Sequence, residues 1–316
     1  MSLKPSPTLL ENTSLQLEYA YNSFIAISFL NIFLAITATL GNTLILLALG
    51  RNCGLHGPSR LLIRCLSSTD LCVGLITQPL AALHAISLLT DHLAIFRITV
   101  VSSYSTSAIL SGVSLFTLTF ISIDRLLALS LGVRYRQTVT IGRVRAFVFF
   151  SWMFNIANGL LSFLLANRSA FMIACVASIS LCVVISTICY IKIHYILRLQ
   201  QMRVQATFSQ AQPNESSPMH RERFKKTVSN ALWVHFTMLV CYLPFGVVSG
   251  VKAITGETLP VADGFTATLI FFNSSVNPVL YCWRIGQVRQ AVKETIRQYC
   301  GFSSGAQIET REEQLS

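Results

Sequence analysis

Residues 264–283 read GFTATLIFFNSSVNPVLYCW, an uncharged stretch whose 20 residues match the length that a helix needs to cross a bilayer. Pro278 lacks a backbone donor, and the side-chain amide of Asn277 needs partners away from water. Asn273, Asn277 and Tyr281 recur at four-residue spacing, so their polar atoms share one helix face. A helix with this polar face is expected to pack against other helices, because a helix that only anchors a protein in the membrane needs no polar face.

The rest of the chain is similarly apolar. Of its 316 residues, 53% are hydrophobic and only 12% are charged, whereas a soluble domain is about 25% charged. Windows with few or no charges predict an all-α membrane protein, a seven-transmembrane helix bundle with a short amphipathic eighth helix on the inner surface. The spans are predicted at 24–50, 60–88, 97–129, 143–166, 170–199, 224–252 and 261–283.

The distribution of charge predicts the orientation. With the N-terminus outside, only four of the 24 Lys and Arg residues face outward, namely Lys4, Arg97, Arg168 and Lys252. The protein is therefore expected to be a multi-pass membrane protein, with its N-terminus outside and its C-terminus cytoplasmic. The expected parts are a flexible tail (1–23), the transmembrane domain (24–283), the surface helix (284–299) and a cytoplasmic tail (300–316).

The surface helix is predicted from its pattern. Ile285, Val288, Val292 and Ile296 fall on one face, and basic residues fall on the other. A helix of this kind lies along the membrane, where its basic side chains attract acidic lipid headgroups.

Several functional classes are disfavoured. A nucleic-acid partner is not expected, because the basic residues form no soluble domain. All nine cysteines fall in spans or on the inner side, so no extracellular disulfide is proposed, and no Cys/His cluster suggests a bound metal. No nucleophile–base pair within the spans suggests an enzyme, and no internal repeat suggests an inverted-repeat transporter.

Asp70 is the only acid well inside a predicted span, where a carboxylate is costly and is usually paired. Asn42 in the first span, Ser114 in the third, and Asn273, Ser274 and Asn277 in the seventh offer oxygen ligands for a small hard cation. The single carboxylate suits a monovalent ion. An acid held only by a structural hydrogen bond is the alternative.

A second polar feature lies at the inner end of the third span. Asp124 and Arg125 follow 26 uncharged residues, and Ser107 lies 18 residues, or five helical turns, before Arg125 on the same face. An ordinary snorkelling pair is the alternative interpretation. In the sixth span, Pro244 is expected to kink the helix above a basic inner end.

These residues together resemble the rhodopsin-like G-protein-coupled receptors over nearly all of residues 24–299. The matching motifs are Gly41-Asn42, the run from Leu66 to Asp70, Asp124-Arg125-Leu126, Trp152, Tyr190, Cys241-Tyr242-Leu243-Pro244, Asn277-Pro278-x-x-Tyr281 and the inner-loop Val133-Arg134-Tyr135-Arg136. Any one of them is weak, but their order and placement are specific.

The resemblance implies a receptor of the plasma membrane that binds an extracellular ligand and activates a heterotrimeric G protein when the sixth span moves outward. It further implies arrestin and a receptor kinase as partners, and no cofactor beyond an allosteric sodium ion. The residues matching the sodium site are Asp70, Ser114, Asn273, Ser274 and Asn277. The residues matching the activation switch and G-protein coupling are Asp124, Arg125, Tyr190, Tyr242, Pro244, Asn277, Pro278 and Tyr281.

The chain departs from the family pattern at informative places. Val100 replaces the cysteine at the outer end of the third span, and Cys182 replaces the proline of the fifth. With a very short second outer loop, these losses are most like the melanocortin, cannabinoid, lysophospholipid and adenosine group. Tyr242 replaces the usual tryptophan. Phe224 replaces the inner acid of the sixth span, so no lock to Arg125 can form there and basal activity is expected.

The ligand is expected to be a neutral small molecule or lipid. Ser107 replaces the family's amine-binding aspartate, and Phe271 replaces the retinal-binding lysine. Candidate pocket residues are apolar or carry hydroxyls, which suits such a ligand, with simple helix packing as the alternative for each. They are His84, Ser103, Tyr104, Ser107, Phe245, Ser249 and Phe271.

Two modifications are predicted, glycosylation at Asn12 and palmitoylation at Cys300. An unmodified thiol is the alternative for Cys300. A silent or decoy seven-helix receptor, and less favourably a transporter, are the alternative functions.

Overall fold

The computed structural model describes the backbone of residues 7–50, 54–90, 93–164, 168–211 and 218–313. Side chains are described for residues 15–50, 54–90, 94–160, 173–203, 233 and 235–299. Within these residues the chain is helical and contains no strand, which confirms the all-α fold class. The spans are, in order, Pro7–Gly50, Gly57–Ser87, Leu93–Leu131, Ile141–Leu164, Arg168–Ala211, Pro218–Thr255 and Pro260–Arg284, followed by the surface helix Gly286–Glu313.

The first, second, third, fifth and sixth spans are each long and apolar enough to cross a membrane by composition alone. The fourth span packs against the third, and the seventh packs against the first and sixth. Polar residues of the seventh span, such as Asn273 and Asn277, are buried in the bundle, so that helix needs its neighbours to cross a bilayer.

The first and the last helix of the chain both extend beyond the ends predicted from the sequence. The first span begins at Pro7, so the backbone of residues 7–23, which the sequence predicts as a tail, is helical in the structure. No proline or glycine occurs between Thr8 and Leu40, so nothing in the sequence stops the first span from extending outward. The surface helix likewise continues past 299 to Glu313.

The surface helix is buried along one face at Val288, Ala291, Val292 and Thr295. Ile296 was predicted on the same face, but its side chain is 44% exposed. Contact with the first span decides which face is buried here, and Thr295 takes the position next to the bundle.

A π-turn, Val73–Thr77, interrupts the second span and leads into Gln78–Ser87. Gly74 lies within this turn against the first span. A Cβ atom at Gly74 would lie 3.1 Å from both the carbonyl oxygen of Ala35 and the backbone nitrogen of Thr39. Glycine is therefore required for the two backbones to approach this closely.

The middle of the bundle holds a cluster of buried side chains, which we call the central cluster. It joins the second, third, fifth, sixth and seventh spans and so spans the level between the outer face and the buried acid. Its members are Val73, Leu110, Leu115, Cys182, Met238, Cys241, Tyr242, Ile270 and Phe271.

Candidate functional site

The buried acid lies on the interior face of the second span. Ser59, Leu62, Leu66 and Asp70 recur at three- and four-residue spacing, and all four are buried. That spacing places them on one side of an α-helix. Asp70 is consequently carried into the bundle by the same stripe that packs the helix, and its side chain is fully buried.

Three donors surround this carboxylate. Ser274 Oγ donates to Asp70 Oδ1 at 2.8 Å, Ser114 Oγ to Oδ1 at 3.1 Å, and Asn277 Nδ2 to Oδ2 at 2.7 Å. Ser114 also lies 2.9 Å from Thr69 Oγ1, so its single hydroxyl proton has two acceptors. The structure therefore brings together four of the five residues that match the family's sodium site, whereas Asn42 contacts the Ser274 carbonyl and not Asp70.

The fifth residue, Asn273, is 2% exposed, and its Nδ2 atom has no hydrogen-bond partner among the described residues. An amide left in this state is unusual in a folded protein. The side chains at this site offer one carboxylate together with hydroxyl and amide oxygens. A hard cation prefers oxygen ligands of this kind. No group of three or more His, Cys, Asp or Glu residues occurs in the described part of the chain, so a transition-metal site is not formed there.

The first span supports the seventh at its proline. Pro278 has no N–H to donate to the carbonyl of Ser274 four residues earlier. Asn42 Nδ2 donates to that carbonyl oxygen instead, at 2.9 Å, and also to Ala38 O at 2.9 Å. A Cβ atom at Gly41 would lie 3.0 Å from Pro278 Cγ, so Gly41 allows the two helices to meet. The Gly41-Asn42 pair thus restores a bond that the proline removes.

The second group of polar residues lies at the inner end of the third span. Asp124 accepts from Tyr135 Oη at 2.6 Å and from Ser59 Oγ at 3.0 Å, and it is 1% exposed. Arg125 Nε lies 4.0 Å from Asp124 Oδ2, and the Arg125 side chain is 33% exposed. The acid is therefore held by neutral donors, while the guanidinium has only a distant ion pair among the described residues.

Sequence reasoning missed Ser59 and the contact of Tyr135 with Asp124. Tyr135 belongs to the inner-loop motif quoted above, but its reach to Asp124 depends on how the third span ends. Gly132 adopts a φ of +52°, a conformation that glycine takes readily. The chain turns at that glycine, and the phenol folds back onto the acid.

Two buried tyrosines flank the inner third of the third span. Tyr190 packs against Leu126 and Leu129 of that span, and its ring centroid lies 5.0 Å from that of His235. Tyr281 is buried in a cluster that includes other third-span residues. Neither phenol hydroxyl has a partner among the described residues. Both hydroxyls therefore have a hydrogen bond to gain if the helices rearrange.

Tyr242 links the sixth span to the third. It is 2% exposed, and its hydroxyl donates to the backbone carbonyl of Ser111 at 3.4 Å. Pro244 lies two residues further along, inside a helix that the proline does not end.

The aromatic pocket candidates form two groups. His84 lies with its ring centroid 6.4 Å from that of Tyr104, near the outer end of the second and third spans. Phe245 packs against the central cluster, of which Phe271 is a member with 1% exposure. Phe271 is thus a core residue as well as a candidate contact.

The hydroxyl candidates lie in the outer half of the bundle. Ser103 is 8% exposed, Ser249 is 1% exposed, and Ser107 is partly buried. Sequence reasoning missed an ion pair between Lys252 and Asp263 that joins the outer ends of the sixth and seventh spans.

Asn12 and Cys300 lie in helices, but their side chains are outside the described residues, as is that of Phe224. The predictions that rest on these three side chains therefore stay predictions.

Comparison with known proteins matches residues 41–281 to the 7 transmembrane receptor (rhodopsin family). Adenosine receptor A3 of Ovis aries is 24% identical over 282 residues, covering 82% of this chain and 86% of the relative. Histamine H2 receptor of Cavia porcellus is 26% identical over 281 residues, covering 81% and 75%. Trace amine-associated receptor 9 of Homo sapiens is 24% identical over 287 residues, covering 82% and 81%.

Proposed function

Because the chain belongs to the rhodopsin family of seven-transmembrane receptors, we propose that its two buried polar groups form the switch through which an extracellular ligand activates a G protein. The protein is a G-protein-coupled receptor of the plasma membrane and is not an enzyme. We further propose that its N-terminus is extracellular and its C-terminus cytoplasmic.

One observation carries the proposed mechanism. The Asp124 carboxylate accepts hydrogen bonds from Tyr135 and Ser59, and Arg125 has a single ion pair at 4.0 Å among the described residues. Outward movement of the sixth span opens a cleft beside Arg125, into which a helix of the G protein inserts. Tyr190 and Tyr281, whose hydroxyls have no partner in the described part of the chain, then gain partners near the arginine.

The ligand drives this change only through a difference in affinity between the two states. A 100-fold preference for the open state supplies about 2.7 kcal/mol. Since Phe224 stands where the family has an acid, the closed state lacks one restraint on Arg125. We therefore expect a substantial basal signal.

Asp70, Ser114, Ser274 and the amide oxygen of Asn273 fit a sodium ion that stabilises the closed state. Each hydroxyl can donate to the carboxylate and still offer a lone pair to the cation. Asn277 donates to the second carboxylate oxygen and so orients the group.

The proposed ligand is a neutral small molecule or lipid, and the lining residues are those assigned above. Similarity to receptors named for adenosine, histamine and trace amines is compatible with a small ligand. Ser107, at the family's amine-binding position, disfavours a monoamine. We also propose arrestin, a receptor kinase and membrane lipids as partners, with glycosylation at Asn12 and palmitoylation at Cys300.

Nucleotide exchange tests this function directly. Vesicles containing the receptor, without added ligand, are expected to speed guanine-nucleotide exchange on at least one member of a panel of heterotrimeric G proteins. Empty vesicles provide the baseline, and surface labelling confirms expression. Exchange at the baseline rate with every G protein would favour the silent or decoy receptor.

Tyr242→Phe is expected to raise basal exchange. The hydroxyl bond to Ser111 restrains the sixth span against the third, and at 3.4 Å it is long. A neutral hydrogen bond contributes about 0.5–1.5 kcal/mol, so its loss shifts the closed–open equilibrium by about two- to tenfold, with the lower value expected. The control is Tyr195→Phe, because Tyr195 is 62% exposed on the fifth span. An unchanged or lower rate in Tyr242→Phe would contradict a restraining role.

A further inference from the structure

Gln78 is an unexplained polar residue in the outer half of the bundle. Its side chain is fully buried, and neither the oxygen nor the nitrogen of its amide has a hydrogen-bond partner among the described residues. Native proteins pair nearly all such groups. A buried amide with both ends unpaired is therefore available to bind something that enters the bundle.

The π-turn determines where Gln78 faces. A π-turn contains one residue more than an α-helical turn, so the eight residues from Asp70 to Gln78 rotate the helix about as far as seven would. Seven residues rotate it by about 700°, within about 20° of two full turns. The packing agrees with this position. Val73 belongs to the central cluster and Ala81 packs against it, and the two residues lie on either side of Gln78 in the chain. Gln78 thus lies two turns outward of the buried acid, on the same interior face.

Two other spans repeat this arrangement. Ser107 precedes Ser114 by seven residues, and Ser249 follows Tyr242 by seven, so each also lies about two turns outward on the interior face. Ser114 contacts the buried acid, and Tyr242 contacts the third span, so these inner positions are close to one another. Gln78, Ser107 and Ser249 lie two turns outward of these positions and are therefore expected to lie close to one another as well. Ser249 Oγ, like the Gln78 amide, is buried and unpaired among the described residues.

The residues near these polar groups in the chain include apolar ones. Ala81, Phe245 and Ala267 each pack against the central cluster from a different span. The polar groups are an amide and two hydroxyls, which are all uncharged. A ligand that suits these groups is apolar over most of its surface and has a neutral polar edge toward Gln78.

We propose that Gln78 is the polar anchor of the ligand pocket and pairs with a neutral ligand that presents a hydrogen-bond donor and acceptor side by side. A primary carboxamide and an amino-substituted nitrogen heterocycle both have such an edge, and a glutamine amide pairs with it through two hydrogen bonds. The proposal rests on the receptor function above, because it specifies the ligand class of that pocket.

Fragment binding tests the proposal. The probes are benzamide, which has both a donor and an acceptor, and N,N-dimethylbenzamide, which has only the acceptor. Binding to the full-length receptor in lipid nanodiscs is measured by saturation-transfer NMR. We expect benzamide to bind at least about tenfold more tightly, the equivalent of one well-placed hydrogen bond. In Gln78→Met, which has a similar length but no amide, the ratio of the two affinities should fall to about one.

The controls separate this proposal from folding and from the receptor function. Gln290→Met alters an exposed glutamine of the surface helix and should keep the wild-type ratio. If Gln78→Met does not fold, Gln78→Asn replaces it, and its shorter amide should likewise lower the ratio. Equal affinities in the wild type, no binding of benzamide, or an unchanged ratio in the variant each overturns the proposal. Basal nucleotide exchange, measured on the same samples, reports separately on the receptor function.

Discussion

Arg125→Ala is expected to reduce ligand-independent nucleotide exchange to the rate of empty vesicles. Arg125 lies at the inner end of the third span, 33% exposed and with only a 4.0 Å ion pair among the described residues. Its side chain is therefore available to a partner that binds at this end of the bundle. A basal rate well above that of empty vesicles in the wild type, lost in the variant, is the expected result in reconstituted vesicles with matched receptor amounts.

The matched control is Arg97→Ala. Arg97 belongs to the same helix and is exposed, but it lies near the opposite end. Its loss removes the same charge from the chain and should leave exchange unchanged. Equal basal rates in the wild type and Arg125→Ala would contradict a coupling role of the arginine, and rates that also equal that of empty vesicles would contradict basal activity.

The second large effect is expected at Asp70. Asp70→Ala leaves Ser114, Ser274 and Asn277 without their shared acceptor inside the bundle. Ser114 Oγ keeps Thr69 Oγ1 as an acceptor. Ser274 Oγ and Asn277 Nδ2, in contrast, lose the only acceptor that they have among the described residues. Each buried donor left unpaired costs about 1–3 kcal/mol, so the variant should unfold at a lower temperature than the wild type or fail to fold. Thermal unfolding in detergent measures this loss.

Asp70→Asn separates the charge from the hydrogen bonds. The asparagine keeps an acceptor oxygen in nearly the same shape but cannot compensate a cation. Replacing choline chloride by sodium chloride at equal ionic strength should raise the unfolding temperature of the wild type and leave that of Asp70→Asn unchanged. Asp263→Asn, which alters the ion pair at the outer end of the bundle, should keep the sodium response. A sodium response of equal size in Asp70→Asn would exclude Asp70 as the cation ligand.

The sequence was sufficient to predict the fold and the partners of the buried acid. A lone carboxylate within an apolar span must be paired, and polar residues at similar depth in other spans are its candidate partners. Ser114, Ser274 and Asn277 were therefore predictable as neighbours of Asp70. The low content of charged residues in the seven spans likewise allowed them to be predicted from composition.

Other features depend on backbone geometry that side-chain type does not report. The π-turn shifts the second span by one residue and turns Gln78 inward, but nothing in Val73–Thr77 distinguishes it from an ordinary helical turn. The contact of Tyr135 with Asp124 depends on the positive φ of Gly132. The outward extension of the first span was missed because polar residues and two early prolines suggested a tail, while the intervening residues are compatible with a helix.

The bond from Asn42 to the carbonyl of Ser274 has a mechanical consequence. An α-helix resists bending because each turn is tied to the next by its own hydrogen bonds, and Pro278 removes one of those ties. The replacement comes from the first span, so the seventh span can bend at this point without breaking a bond within itself. The stiffness of the joint is therefore a shared property of two helices, and it is set by a residue outside the part that bends.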